Sequence, residues 1–169
     1  MVVSAFERLG LPAQYAVDHE LLERLYLEKS RLCHPDHNAQ SGAETLARAL
    51  SDSAALNEAH AVLADPLRRA EHLLALWGGP DASADKRQPP EFLEKMLDWR
   101  EEAENPSARE NLLNRLEIER SELLKRIFEQ FASPGEVPSD RVVRMKEIRL
   151  LLNQLRSVQG LLRELEDSY

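Results

Sequence analysis

The sequence is poor in cysteine and in long apolar runs, and each shortage excludes a class of protein. Its 169 residues include one cysteine, so no disulfide framework can form within the chain and a reducing compartment is expected. No stretch approaches the roughly 18 consecutive apolar residues of a membrane helix. The first ten residues, MVVSAFERLG, lack the charged and apolar regions of a signal peptide. We therefore expect a cytoplasmic protein without a membrane partner.

Positive charge is also scarce. The chain has 22 Lys and Arg against 30 Asp and Glu, a net charge of −8, so it has no basic excess to displace counterions from phosphates. Nucleic acid is therefore not an expected partner. Aromatic residues make up only 5% of the chain, while the abundant Leu, Ala, Glu and Arg favour helices. The composition, with no β-type alternation anywhere, predicts an all-α protein.

Capping motifs predict where several helices begin. Ser4 and Glu7 have the spacing of a capping box for a short first helix. Asp18 is a good N-cap for a second helix, and Asp65 before Pro66 restarts the chain as N-cap and first helical residue. The first half is thus expected to be a small helical domain.

The segment 78–90, GGPDASADKRQPP, is small, polar and bounded by proline, which is typical of a linker. Three helices are expected after it. The first runs to about residue 105, the second opens with the capping box SARE at 107–110, and the third begins near residue 139. Three such helices with short breaks predict a bundle. The expected organisation is a domain at 1–77, a linker at 78–90 and a second domain at 91–169.

The most reactive side chains lie in RLCHPDHNAQSGA, residues 31–43. A metal-dependent enzyme or metal carrier would use Cys33, His34, Asp36 and His37. Ligand spacing disfavours this alternative, because adjacent Cys33 and His34 would point apart, Pro35 stiffens the segment, and no second ligand cluster occurs. We expect no catalytic residue, no metal and no cofactor. A proline-stiffened polar loop between two helices suits recognition better than chemistry.

The triplet His34-Pro35-Asp36, between an amphipathic helix and a long helix, resembles the signature of J-domain co-chaperones. The resemblance extends to LNEAHAVLADPLRRAEHLL, residues 56–74, which is similar to the family's N-E-A-Y-x-x-L-x-D-P-x-x-R-A stretch. His60 replaces the usual aromatic residue. The second half, with FLEKMLDWREE, resembles the HscB-type branch of this family, which serves iron–sulfur cluster assembly.

The resemblance implies an L-shaped, two-domain, all-α protein that is not an enzyme. Its J-domain would stimulate the ATPase of an HscA/DnaK-type chaperone. The implied chaperone-binding residues are His34, Pro35 and Asp36, together with Arg24, Lys29 and Arg31, which correspond by place only. Cys33 stands where an aromatic residue is usual and His37 where lysine is common, so the basic rim of the loop is weaker than in the family.

The helix expected at 91–104 carries two apolar stripes. One consists of Phe92, Met96, Trp99 and Ala103, and the other contains Leu93 and Leu97. Periodicity alone leaves open whether the second stripe belongs to a wide core face or to a contact site.

The resemblance implies a contact site for an IscU-like iron–sulfur scaffold protein. Its residues would be Leu93, Leu97, Asp98, Glu101 and Leu151. The run 150–152 is not expected to bury all three leucines on one seam, and alignment with the family on the following Leu-Arg places Leu151 at a further scaffold contact. The implied function is delivery of the scaffold protein to the chaperone. A J-domain co-chaperone for a different client, or with a bundle that only dimerises, is the alternative.

Overall fold

The structure is a computed structural model that describes residues 3–32, 42–132 and 138–167. This part of the chain contains helices and no strand, which confirms the all-α fold class. None of its helices is long and apolar enough to cross a lipid bilayer. The helices are α1 (Ala5–Leu9), α2 (His19–Leu32), α3 (Ala43–Ala64), α4 (Pro66–Leu76), α5 (Pro90–Ala103), α6 (Arg109–Ala132) and α7 (Pro138–Asp167).

The predicted caps form at the starts of three helices. At α1, the Ser4 hydroxyl accepts from the Glu7 N–H at 3.2 Å, and the Glu7 carboxylate accepts from the Ser4 N–H at 2.8 Å. The Asp18 carboxylate accepts from two N–H groups in the first turn of α2. The Asp65 carboxylate accepts from one N–H group in the first turn of α4 at 2.7 Å. Each cap pairs donors that a helix start leaves without partners.

The chain forms two compact units, Met1–His72 and Leu73–Tyr169. In the first unit, α1 and α2 both pack against α3. Five large apolar side chains of its core are 3% exposed or less: Phe6, Leu9, Leu22, Leu56 and Leu63. The hydrophobic effect therefore holds the short α1 in place, although a helix of five residues is not stable alone.

A buried guanidinium links distant segments of the first unit. Arg69 is 5% exposed and donates to the carbonyl oxygens of Leu63 at 2.8 Å, Tyr15 at 3.0 Å and Ala64 at 3.4 Å. Its charge also lies 5.5 Å from the centre of the Tyr15 ring. Burial lowers the pKa of Arg69. Arg69 thus ties the segment before α2 to the end of α3.

The second unit contains α5, α6 and α7, and each of these helices contacts the other two. Its core includes leucines and isoleucines of α6 and α7 that are fully buried: Leu112, Leu116, Ile127, Ile148, Leu152 and Leu155. The α6 helix begins at Arg109, so the capping box expected at 107–110 does not mark its start. Asn105 organises a turn there instead, accepting from the Ser107 N–H with its side chain and from the Ala108 N–H with its backbone carbonyl.

Residues 78–90, expected to be a linker, lie in the second unit. Side chains of α7 bind their backbone. Arg149 donates to the Pro80 carbonyl at 3.0 Å, and the Asn153 amide donates to the carbonyls of Asp85 and Arg87 at 3.0 and 2.9 Å. Composition indicated a linker because it reflects only the local preferences of the chain. The residues that bind this segment, Arg149 and Asn153, come more than sixty positions later in the sequence.

Candidate docking surfaces

The first candidate surface is the solvent face of α2, which leads toward the His-Pro-Asp triplet. The triplet His34, Pro35 and Asp36 lies outside the described residues, as do Cys33 and His37. The roles expected for all five therefore stay predictions.

The structure brings two of the three expected basic residues onto one face of α2. Arg24 and Arg31 are exposed and stand seven residues apart, about two helical turns or roughly 10 Å. Leu27, which is 52% exposed, lies between them on the same face. Lys29 is partly buried and is rotated by about 140° from Arg24 around the helix axis. The basic face of α2 thus consists of Arg24 and Arg31, with Lys29 on another side.

The α2–α3 hairpin that presents this face is fixed by a polar and aromatic cluster. His60 of α3 stacks on Tyr26 of α2 with ring centres 4.2 Å apart, and its Nε2 atom lies 2.6 Å from the Glu23 carboxylate. The Tyr26 hydroxyl donates to the Asn57 side-chain oxygen at 3.0 Å. His60 stands where the J-domain pattern has an aromatic residue, and its imidazole ring stacks on Tyr26. The histidine therefore still provides a ring contact between α2 and α3.

The second candidate surface is on α5, where the structure decides between the two apolar stripes. Phe92, Met96 and Trp99 are between 4% and 8% exposed and face the core. Leu93 and Leu97 are 48% and 68% exposed. The second stripe is therefore not part of a wide core face.

Leu93 and Leu97 form one wall of a groove between α5 and α7 with a volume of about 510 Å³. The other lining residues are Gln88, Met96, Arg100, Ser157 and Gly160. At one end the Gln88 amide is held by bonds to the Asn153 carbonyl and the Ser157 hydroxyl, at 3.0 and 2.7 Å. The groove thus has an apolar middle and a polar, ordered end.

Two carboxylates lie beside the exposed stripe on α5. Asp98 and Glu101 are exposed, and within residues 3–32, 42–132 and 138–167 neither carboxylate is in an ion pair. The two basic residues of α5 are already engaged, Lys95 with Glu119 at 2.5 Å and Arg100 with Glu164 at 3.1 Å. The two carboxylates next to Leu93 and Leu97 are therefore open to a basic group of a partner.

The structure corrects the expectation for Leu151. Its side chain is 4% exposed, and the neighbouring Leu152 is fully buried. Both are buried because α7 is covered by α5 as well as by α6, so its apolar face is wider than one seam. Leu151 belongs to the core and offers almost no surface to a partner.

No group of three or more His, Cys, Asp or Glu side chains in the described residues is placed to hold a metal ion. The segment from Cys33 to His37 lies outside that part of the chain.

Comparison with known proteins identifies relatives of one kind, although no protein-family profile matches the chain. The chain is 31% identical over 164 residues to a co-chaperone protein HscB homolog of Vibrio vulnificus strain CMCP6, covering 91% of this chain and 95% of that protein. It is 37% identical over 111 residues to the homolog of Burkholderia thailandensis and 36% identical over 104 residues to that of Vibrio cholerae. These two alignments span 63% and 61% of the relatives' length.

Two solved structures share the fold. The chaperone HscB from Vibrio cholerae matches with a TM-score of 0.79 at 27% identity, over 98% of this chain and 96% of that one. Human co-chaperone protein HscB matches with a TM-score of 0.84 at 19% identity, over 98% and 81%, a likeness of fold alone. The helical fold and these relatives define the class of protein as a J-domain co-chaperone. The chain belongs to the HscB family of co-chaperones.

Proposed function

We propose that this protein stimulates the ATPase of an HscA/DnaK-type chaperone and delivers an IscU-like iron–sulfur scaffold protein to it in the cytoplasm. It carries out no reaction itself. The chaperone binds the triplet His34, Pro35 and Asp36 and the basic face of α2. The scaffold protein binds the α5 surface formed by Leu93, Leu97, Asp98 and Glu101.

The exposed side chains of Leu93 and Leu97 carry the scaffold half of the proposal. Two neighbouring leucines, 48% and 68% exposed beside a groove, leave apolar area in water that a partner can cover. The exposed carboxylates of Asp98 and Glu101 favour a partner whose apolar contact is accompanied by lysine or arginine. An apolar centre with a charged rim is the usual anatomy of a specific protein interface.

The basic face of α2 supports the chaperone half. Arg24 and Arg31 project on one side of the helix that leads into the triplet, so an acidic surface on the chaperone can bind both arginines and the loop together. Lys29 is partly buried on another side of α2, and its expected part in this contact stays a prediction.

The proposed mechanism couples two binding events. Holding the scaffold and the chaperone on one protein raises the concentration of scaffold that the chaperone encounters. The J-domain contact meanwhile favours the chaperone state that hydrolyses ATP and traps its client, because the contact is tighter in that state. Delivery therefore needs both surfaces on one chain.

Replacing His34 with glutamine tests the chaperone half. We expect His34→Gln to abolish ATPase stimulation while the helical content and the affinity for the scaffold stay unchanged. His19→Gln is the matched control, because His19 is an exposed histidine at the start of α2 and is expected to keep full stimulation. Stimulation by His34→Gln at the wild-type level would overturn this half of the proposal.

A co-chaperone for another client is the alternative that shares the first half of the proposal. It predicts normal ATPase stimulation and no measurable binding of an IscU-type scaffold protein. Binding measured by isothermal titration calorimetry separates the two. A metal site at Cys33–His37 is tested by metal analysis of the purified protein, where stoichiometric metal lost in His37→Ala would favour it.

A further inference from the structure

Gly160 is an unusual residue for its position in α7. It lies inside a helix that runs from Pro138 to Asp167, where glycine is a poor choice because it has the greatest backbone freedom to lose. Its backbone does not have a positive φ angle, so the local conformation does not require glycine. The reason for glycine here therefore has to be sought in the space around it.

The space beside Gly160 is the groove between α5 and α7, whose other wall is formed by Leu93 and Leu97. Gly160 lines the groove together with Leu93 and Leu97, and a Cβ atom built on Gly160 would have no atom within 4 Å apart from its chain neighbours and the nearby backbone of α7. A Cβ atom at this position would therefore stand in the open space of the groove. By contrast, a Cβ atom on Gly79 would lie 2.3 Å from the Leu74 side chain, so that glycine is required by packing within the fold.

We propose that Gly160 is a specificity-determining residue of the scaffold-binding surface. Because it has no side chain, the groove keeps the depth to seat an aliphatic side chain of the partner between α7 and the Leu93–Leu97 wall. The partner segment carries lysine or arginine next to that aliphatic residue, since Asp98 and Glu101 stand exposed beside the wall. This inference rests on the proposed binding of the scaffold protein to α5.

The groove has features that restrict what can enter it. Its ends are polar, with the Gln88 amide held by Ser157 at one and the Arg100 guanidinium paired with Glu164 at the other. The apolar middle spans from Leu93 to Leu97, about one helical turn or roughly 6 Å along α5. A span of that length accommodates one large aliphatic side chain, and a longer apolar segment would have to desolvate the polar ends.

Filling the groove from within tests the proposal. We expect Gly160→Leu to weaken binding of a purified IscU-type scaffold protein at least tenfold in calorimetric titration, because the new leucine occupies the place of the partner's side chain. Gly160→Ala adds only one carbon and is expected to change Kd by less than threefold. Both variants are expected to unfold at or above the wild-type temperature, because both replacements favour the helix. Unchanged binding by folded Gly160→Leu would overturn the inference.

Two further variants separate this inference from the proposed function. Lys146→Leu places the same apolar side chain on α7 about 21 Å from Gly160 and is expected to bind normally. Leu97→Ala tests the surface itself. If Leu97→Ala weakens binding and Gly160→Leu does not, the scaffold binds α5 without entering the groove and only the inference fails. If neither variant weakens binding, the proposed scaffold site fails as well.

Discussion

Replacing the two exposed leucines of α5 with alanine is expected to weaken scaffold binding. The loss of binding free energy follows from the fraction of each side chain that is exposed. Fully burying a leucine side chain is worth about 1.5–3 kcal/mol relative to leaving it in water. Leu93 and Leu97 are 48% and 68% exposed, so this fraction of their surface remains for a partner to cover. The double variant Leu93→Ala/Leu97→Ala should therefore lose about 2–3 kcal/mol of binding free energy, or about 30- to 150-fold in Kd.

Calorimetric titration with an IscU-type scaffold protein measures this loss directly. The variant should keep its unfolding temperature, because surface substitutions usually change stability by less than about 0.5 kcal/mol. Ile118→Ala is the matched control. Ile118 is 60% exposed on α6 and lines a separate surface with Glu117 and Lys125, so its loss should leave Kd within about twofold. A wild-type Kd for the double variant, or an equal effect of Ile118→Ala, would refute the reasoning.

Two predictions concern the stability of the first unit. Arg69→Met should destabilise it by about 3 kcal/mol, because buried carbonyl groups lose their donor, whereas Arg68→Met, which removes only an exposed ion pair, should cost less than about 1 kcal/mol. Equal urea midpoints for the two variants would contradict the role of Arg69. The His72 Nε2 atom accepts from the Ala5 N–H at 3.1 Å, and burial lowers the pKa of His72 below its usual 6.5. Neutral His72 therefore contributes to the free energy of unfolding, and this contribution is complete above about pH 6.5, the usual pKa of histidine in the unfolded chain. It is lost as the pH falls from there through the lowered pKa of the folded protein. The urea midpoint should fall less between pH 7 and pH 5 in His72→Gln than in the wild type, and identical pH profiles would exclude this linkage.

Local signals in the sequence were enough to predict the helices and their caps. Ser4, Asp18 and Asp65 cap helices as expected, because a capping bond joins residues two or three positions apart. The prediction was wrong at 107–110, where Asn105 organises a turn and delays the start of α6.

Features that depend on contacts between distant parts of the chain could not be predicted from local sequence signals. Leu151 was expected to contact a partner because the resemblance places it there and one seam cannot bury residues 150–152, but α7 is covered by two helices and Leu151 is 4% exposed. The binding of residues 78–90 to Arg149 and Asn153 depends on tertiary contacts that composition does not report. A glycine amid the leucines of α7 was the available signal for the groove, and only its position opposite Leu93 and Leu97 gives it a meaning.

The central claim is that one chain couples a scaffold protein to a chaperone through two separate surfaces. The most direct test is the ATPase rate of an HscA-type chaperone, measured with this protein alone and after addition of an IscU-type scaffold protein. We predict that the scaffold increases stimulation by the wild type, and that Leu93→Ala/Leu97→Ala keeps the basal stimulation but loses this increase. An increase of wild-type size in the double variant at subsaturating scaffold would contradict the claim.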